Sequence, residues 1–228
     1  MTRNVAILIF DDVEVLDFCG PFEVFGVTGT AVRSAEVSKE KPYNPKEKLF
    51  QAYKSAERTD EKPFHVYTVA EKAESVYARN GLSVNAAYPI ENCPAPDILL
   101  VPGGYGTRAQ MYNTVLLDWI VQQAGRVELL LSVCTGSLML AKAGLLDGLS
   151  ATTHYGAMDI LRSVAPNTKI CPDERYVDNG KIITSAGISA GIDMSLYVVA
   201  RLLGAETAAQ TARHMQYDYW TGSRSKPS

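Results

Sequence analysis

One cysteine stands where a thiol could act as a nucleophile. In ELLLSVCTGSLMLAKAGLLDG the apolar run Leu129 to Val133 leads straight into Cys134, and a helical pattern from Cys134 to Leu146 follows at once. That order predicts a sharp strand-to-helix turn with Gly136 two residues beyond the thiol. This is the geometry of a nucleophile elbow, although the glycine that precedes the nucleophile in G-x-S-x-G is missing. Unpaired N–H groups at a helix start favour negative charge, so the thiol pKa is expected to be lowered and the thiolate population raised. The competing reading of Cys134 is a small buried residue filling the junction. Cys19, Cys93 and Cys171 lie in turn-like or proline-flanked contexts and read as structural. With no C-x-x-C pair or other short spacing, neither a metal site nor a disulfide framework is expected.

A nucleophile needs a proton partner, and DDVEVLDFCGPFEVF supplies candidates at the end of the first predicted strand: Glu14, Asp17 and Glu23. Asp17 sits between Leu16 and Phe18, just before a helix expected to open at Gly20-Pro21. A carboxylate there could be partly desolvated, with a raised pKa, and serve as an acid. It could equally be a helix-capping or turn residue, while Asp11 and Asp12 read as strand-end turn formers. In VPGGYGT, residues 101–107, glycines would let the backbone approach a ligand and its N–H groups cradle developing negative charge, although a plain turn explains them too. The stretch matches neither G-x-G-x-x-G nor a phosphate-binding loop, so nucleotide binding is not supported. His154 in ATTHYGAM is a candidate base or substrate contact, or a structural histidine near a sheet end or dimer contact. His65 and His214 fall in a strand and a C-terminal helix.

Positioning these residues requires a particular layout. Val5 to Phe10, Ile98 to Val101, Leu129 to Val133 and Ile182 to Thr184 read as buried strands, and His65 to Ala70 as an alternating one. Between them lie helical patterns at Pro21 to Phe25, Val115 to Arg126 and Ile192 to Leu203, the last ended by Gly204. Strands interleaved with helices predict an α/β fold, a mostly parallel sheet covered on both faces, in one domain without repeats. Arg79-Asn80-Gly81 reads as a hairpin turn. Residues 35–63 break the pattern, with 13 charged residues among 29 and prolines at 42, 45 and 63. They predict a surface insertion with one short helix carrying Leu49, Phe50, Ala52 and Tyr53: a solvated loop, a lid or a dimer-contact arm.

The 228 residues are 46% apolar and 21% charged, enough to bury a full core. Twenty-two basic against 25 acidic residues leave a charge of −3, without the basic excess of an electrostatic nucleic-acid binder. That balance suits a small neutral substrate better than a phosphate or a nucleic acid. The six apolar residues of the N-terminal run are too few for a signal sequence, and no later run approaches membrane-spanning length, so a soluble, cytoplasmic protein is expected.

Taken together, AILIFDDVEVLDFCGPFEVF, ILLVPGGYGT, SVCTGSLMLAKAGLLDG with SATTHY, and ITSAGISAGIDMSLYVV resemble the ThiJ/PfpI superfamily, nearest to its isonitrile hydratase branch. The resemblance implies a flavodoxin-like α/β sandwich, a reactive elbow cysteine, no cofactor and commonly a homodimer. It assigns Cys134 as nucleophile, Asp17 as acidic partner, Thr135 as the residue after the nucleophile, and Gly104 with its neighbouring backbone as the anion-stabilising N–H site. Tyr105 and His154 join these as candidate substrate contacts. Peptidase-like members carry histidine directly after the cysteine, where this chain has Thr135. Glyoxalase- and chaperone-like relatives use glutamate where Asp17 aligns. The implied reaction is hydration of R–NC to an N-substituted formamide: Cys134 forms a thioimidate, and Asp17 relays protons and activates water. The ligand-sensing halves of AraC-type transcription regulators share similar stretches. The tail RHMQYDYWTGSRSKPS offers no helix-turn-helix, so direct DNA regulation is not expected, whereas a small-molecule or redox sensor and a glyoxalase-like activity stay open.

Overall fold

Four apolar runs form the centre of a seven-stranded sheet. The computed structural model describes residues 1–29 and 62–218. The charged segment lies outside the described residues except for Lys62 and Pro63, and so does the short helix expected at 49–53. The strands are β1 (Arg3–Leu8), β2 (Phe64–Ala70), β5 (Tyr88–Pro89), β6 (Ile98–Val101), β7 (Leu129–Val133), β10 (Tyr176–Asp178) and β11 (Ile182–Ser185), in the order β10-β11-β7-β6-β1-β2-β5. All pair in parallel except β10, which runs antiparallel at one edge. β6 and residues 5–8 of β1 have no solvent exposure, as expected for strands covered on both faces. Outside this sheet, β3 (Ser75–Tyr77) and β4 (Ser83–Asn85) form the expected hairpin around Arg79–Gly81, with Asn80 and Gly81 at φ 63° and 83°. A small parallel pair, β8 (Ser150–Ala151) and β9 (Lys169–Ile170), lies beside β10 and β11.

The helices are α1 (Val15–Val27), α2 (Thr107–Gln110), α3 (Thr114–Ala124), α4 (Gly136–Lys142), α5 (Met158–Val164), α6 (Ala190–Leu203) and α7 (Ala205–His214). From β1 the chain crosses through α1 to β2 on one side, whereas from β6 it crosses through α3 to β7 on the other. Right-handed crossovers in opposite directions place these helices on opposite faces. α1, α6 and α7 pack together on one face, and α2, α3 and α5 gather around α4 on the other, giving a flavodoxin-like three-layer sandwich. The reversal of direction falls between β1 and β6, where the loops after the two strands meet. Val13 bridges Gly104, Glu14 N–H donates to the Gly103 carbonyl at 2.9 Å, and Gly106 N–H donates to the Asp12 carbonyl at 3.2 Å. Such a point is where open α/β sheets bind ligands.

The first helix departs from the sequence expectation. It opens at Val15 rather than at Pro21, which lies in its interior. Proline there removes the N–H that would bond the Asp17 carbonyl, at a cost of about 3 kcal/mol. Burial of Phe18, Val24 and Phe25, each contributing about 2 kcal/mol, outweighs it. Asp17 therefore stands in the first helical turn instead of preceding the helix.

Candidate active site

β7 ends at Val133, α4 begins at Gly136, and the two residues between them turn the chain. Cys134 makes that turn with φ 56°, in the left-handed region, which costs a non-glycine residue about 1–3 kcal/mol. Every main-chain polar group of Cys134 is fixed. Its N–H is shared between the carbonyls of Ser185 and Ala186, both at 3.1 Å, and its carbonyl accepts from Ser137 Oγ at 3.1 Å and Thr153 Oγ1 at 2.9 Å. The elbow is thus held by β11, α4 and the segment after β8 together. Gly136 completes it, since a β-carbon there would lie 2.1 Å from the Val101 carbonyl oxygen and 2.8 Å from that of Pro102. Both obstacles are backbone. Gly136→Ala is expected to destabilise the fold by about 3 kcal/mol, read as a lowered melting temperature; a variant as stable as the parent would show that the elbow can spread.

Asp17 meets the cysteine from α1. It has no solvent exposure; Oδ2 accepts from Gly103 N–H at 3.0 Å, and Oδ1 has no hydrogen-bond partner within normal limits among the described residues. Burial pushes its carboxyl up to about 7, with Glu14 adding to the rise, while the Gly103 bond and its contact with Cys134 draw it down. Cys134 is 5% exposed. Its own burial, then the adjacent Asp17 charge, push the thiol up to about 12, against the pull of the Thr135 and Ile188 backbone amides. The expectation of a lowered thiol pKa is therefore reversed: desolvation and a facing carboxylate outweigh the amides at the start of a seven-residue helix. The two groups titrate as a pair, and two negative charges side by side in a buried site are disfavoured, so the pair retains a proton near neutrality.

The other candidates divide. Thr135 is buried, and its hydroxyl accepts from Gly104 N–H at 3.0 Å. The hydroxyls of Thr135 and Thr107 stand 3.1 Å and 2.7 Å from the Gly104 carbonyl. The Gly104 amide, expected to face developing charge, is thus engaged by a side chain, and the amides directed at the sulfur belong to Thr135 and Ile188. Tyr105 is 60% exposed, its ring faced by the guanidinium groups of Arg108 at 4.7 Å and Arg79 at 5.7 Å. His154 is half-buried. Its Nδ1 accepts from Gly156 N–H at 3.1 Å, and its ring packs so closely on Gly187 that a β-carbon there would stand 2.4 Å from Cδ2. Glu23 is exposed, and Glu14 acts on the site through Asp17. Cys19, Cys93 and Cys171 are free and partly buried. A cleft of about 160 Å³ opens at the ends of β1 and β2, lined by Asp11, Glu71, Glu74 and Gln110 among others, and includes none of these candidate residues.

Ile188 is a site residue that its sequence does not mark. It holds φ 51°, rarer still for a β-branched residue, and turns its N–H toward the sulfur from the loop between β11 and α6. The stretch ITSAGISAGID carries a strand end followed by a helix, but nothing in it marks an isoleucine as left-handed.

Among the described residues no group of His, Cys, Asp or Glu is arranged to hold a metal ion, and no helix is long and apolar enough to cross a membrane. Residues 49–201 match the DJ-1/PfpI family. The chain is 31% identical to the isonitrile hydratase of Pseudomonas putida over 95% of its own length and 79% of that protein's. It is 34% identical to the HTH-type transcriptional regulator CdhR of Pseudomonas aeruginosa, over 60% of this chain and 40% of the regulator. A ThiJ/PfpI family protein from Pseudomonas syringae superimposes with a TM-score of 0.76 at 26% identity, covering 100% of this chain and 80% of that one.

Proposed function

Because the chain belongs to the DJ-1/PfpI family, we propose that it is a cysteine-dependent enzyme that hydrates an isonitrile, R–NC, to the N-substituted formamide. The observation that carries this reading is the buried Asp17–Cys134 pair with a proton to share. The substrate is neutral, and its terminal carbon must gain a proton as well as a nucleophile. In the first step Cys134 sulfur bonds that carbon while the thiol proton passes through the Asp17 carboxylate onto the same carbon, giving the thioimidate R–N=CH–S–Cys134. In the second, water adds to the carbon, one of its protons goes to the substrate nitrogen and the other to Asp17. The C–S bond then breaks to release R–NH–CHO, and Asp17 returns the proton to sulfur. No net charge accumulates, which suits a site with little solvent. The Thr135 and Ile188 amides stabilise the sulfur as it gains and regains negative charge. Thr135 and Gly104 act by holding the loop that places the Gly103 amide on Asp17.

A homodimer accompanies this reading, with Leu16 and Phe22, each 39% exposed on α1, offering apolar surface to a second copy. Tyr105 and His154 are proposed as outer substrate contacts.

Incubation with an aryl and an alkyl isonitrile, with the formamide followed by chromatography and mass spectrometry, tests the assignment. Catalytic turnover of at least one is expected. Saturable isonitrile binding without formamide would favour a ligand-sensing role like that suggested by similarity to the regulator, and turnover of an α-oxoaldehyde alone would favour a glyoxalase-like enzyme.

A further inference from the structure

The loop that turns the Ile188 amide toward the sulfur is gripped on both sides by one residue. The main-chain carbonyl of Arg175 accepts from Ala186 N–H at 2.8 Å, just before the strained position. Its guanidinium donates forward, through Nη2 to Ser189 Oγ at 3.4 Å and through Nε to Asp193 Oδ2 at 2.5 Å, with Nη2 also on that carboxylate oxygen. Asp193, in the first turn of α6, is without solvent exposure, and Tyr217 OH donates to its Oδ1 at 3.0 Å. The carboxylate that receives Arg175 is therefore immobile. Ala186 and Ser189 bracket Gly187 and Ile188, so the residue at φ 51° has little freedom to relax toward an ordinary conformation.

We infer that Arg175 is a positioning residue, whose grip on Ala186, Ser189 and Asp193 keeps Ile188 left-handed and its N–H turned toward the Cys134 sulfur. This rests on Cys134 being the reactive thiol and is independent of which substrate it attacks. Substituting the side chain leaves the main-chain bond to Ala186 but removes the guanidinium's hold on Ser189 and Asp193, so Ile188 can relax, the sulfur loses a donor and the thiolate becomes harder to form. The titratable group acting on the sulfur is Asp17, with Glu14 acting on Asp17, while Asp193 and Tyr217 face Arg175 itself.

The test is the pH dependence of Cys134 alkylation by iodoacetamide, quantified by peptide mass spectrometry in the intact protein. In Arg175→Gln the profile is expected to move to higher pH by about one unit, so that alkylation at pH 8 slows on the order of tenfold. Arg175→Lys, which keeps the charge on Asp193, should recover part of that loss. Arg201→Gln removes a comparable pair with Asp178, and the profile should not move. A folded Arg175→Gln protein with the parental profile overturns the proposal, as does an equal shift in Arg201→Gln. If Arg175→Gln does not fold, Ser189→Ala, which deletes the contact nearest Ile188, should slow alkylation about threefold; no change there overturns it. Turnover that survives full alkylation of Cys134 would sink the nucleophile assignment instead, leaving the Arg175 result to stand or fall on the profile.

Discussion

Cys134→Ala is expected to lower formamide formation by at least about 10³-fold while leaving the fold in place. The loss is large because the sulfur supplies the bond that splits one difficult addition into two easier ones. Without it, water must attack an isonitrile carbon that only Asp17 can protonate. The fold should survive because the main-chain bonds to Ser185, Ala186, Ser137 and Thr153 fix the turn and use no sulfur atom. Alanine occupies φ 56° with much the same strain as cysteine. Melting temperature and circular dichroism should therefore match the parent closely. In the proposed mechanism Cys134 and Asp17 act as a unit, so adding a second substitution at Asp17 should cost far less than it does alone. An alanine variant that keeps even a tenth of the parental rate would remove Cys134 from the mechanism.

Asp17→Asn should separate activity from stability in opposite directions. Asparagine can keep the hydrogen bond from Gly103 N–H but cannot accept and return a proton, so turnover should fall on the order of 10²–10⁴-fold. In the parent the folded carboxyl, held up to about 7 by burial, keeps its proton above the pH at which an unfolded carboxyl, near 3.8, has lost it. The native state then binds more protons than the unfolded chain between those values, and stability declines as pH rises through that window. Asparagine carries no such penalty. Its advantage should be absent near pH 3.5, grow through pH 4–7 and be complete by pH 8. There it should reach on the order of 4 kcal/mol, or about 10 °C in melting temperature. Parental kcat/KM should rise with pH through about 7, as Asp17 becomes able to take the thiol proton, and the residual activity of the Asn variant should lack that rise. Equal melting temperatures at pH 8, or an active Asn variant, would place the proton relay elsewhere.

The parallel sheet was legible because its strands are continuous apolar runs, and β6 and β7 coincide with Ile98–Val101 and Leu129–Val133 as read. The elbow was legible because Cys134 interrupts such a run at the point where helical spacing begins. The start of α1 was not, since proline ordinarily opens helices and only the buried surface of Phe18, Val24 and Phe25 shows why this one carries it inside. The direction of the thiol shift was not legible, because a helix start is local information, whereas the opposing carboxylate and the loss of water are set by the tertiary structure. Ile188 and the Arg175–Asp193 pair were invisible for the same reason. A left-handed isoleucine contradicts its own residue preference, and an ion pair spanning β10, β11 and the loop after it has no spacing rule to reveal it.

The meeting of the loops after β1 and β6 bears on when the site is assembled during folding. Asp17 enters from the first crossover, Gly103 from the loop after β6, Cys134 from the elbow after β7 and the Ile188 amide from the loop after β11. All four converge only once strands distant in sequence have paired, and non-local parallel pairing is slow to form. The buried Asp17–Cys134 pair is therefore a late product of folding. A nascent or partly collapsed chain carries an ordinary solvated thiol and an ordinary carboxylate, and the proton-sharing site exists only when the sheet is closed from β2 to β11.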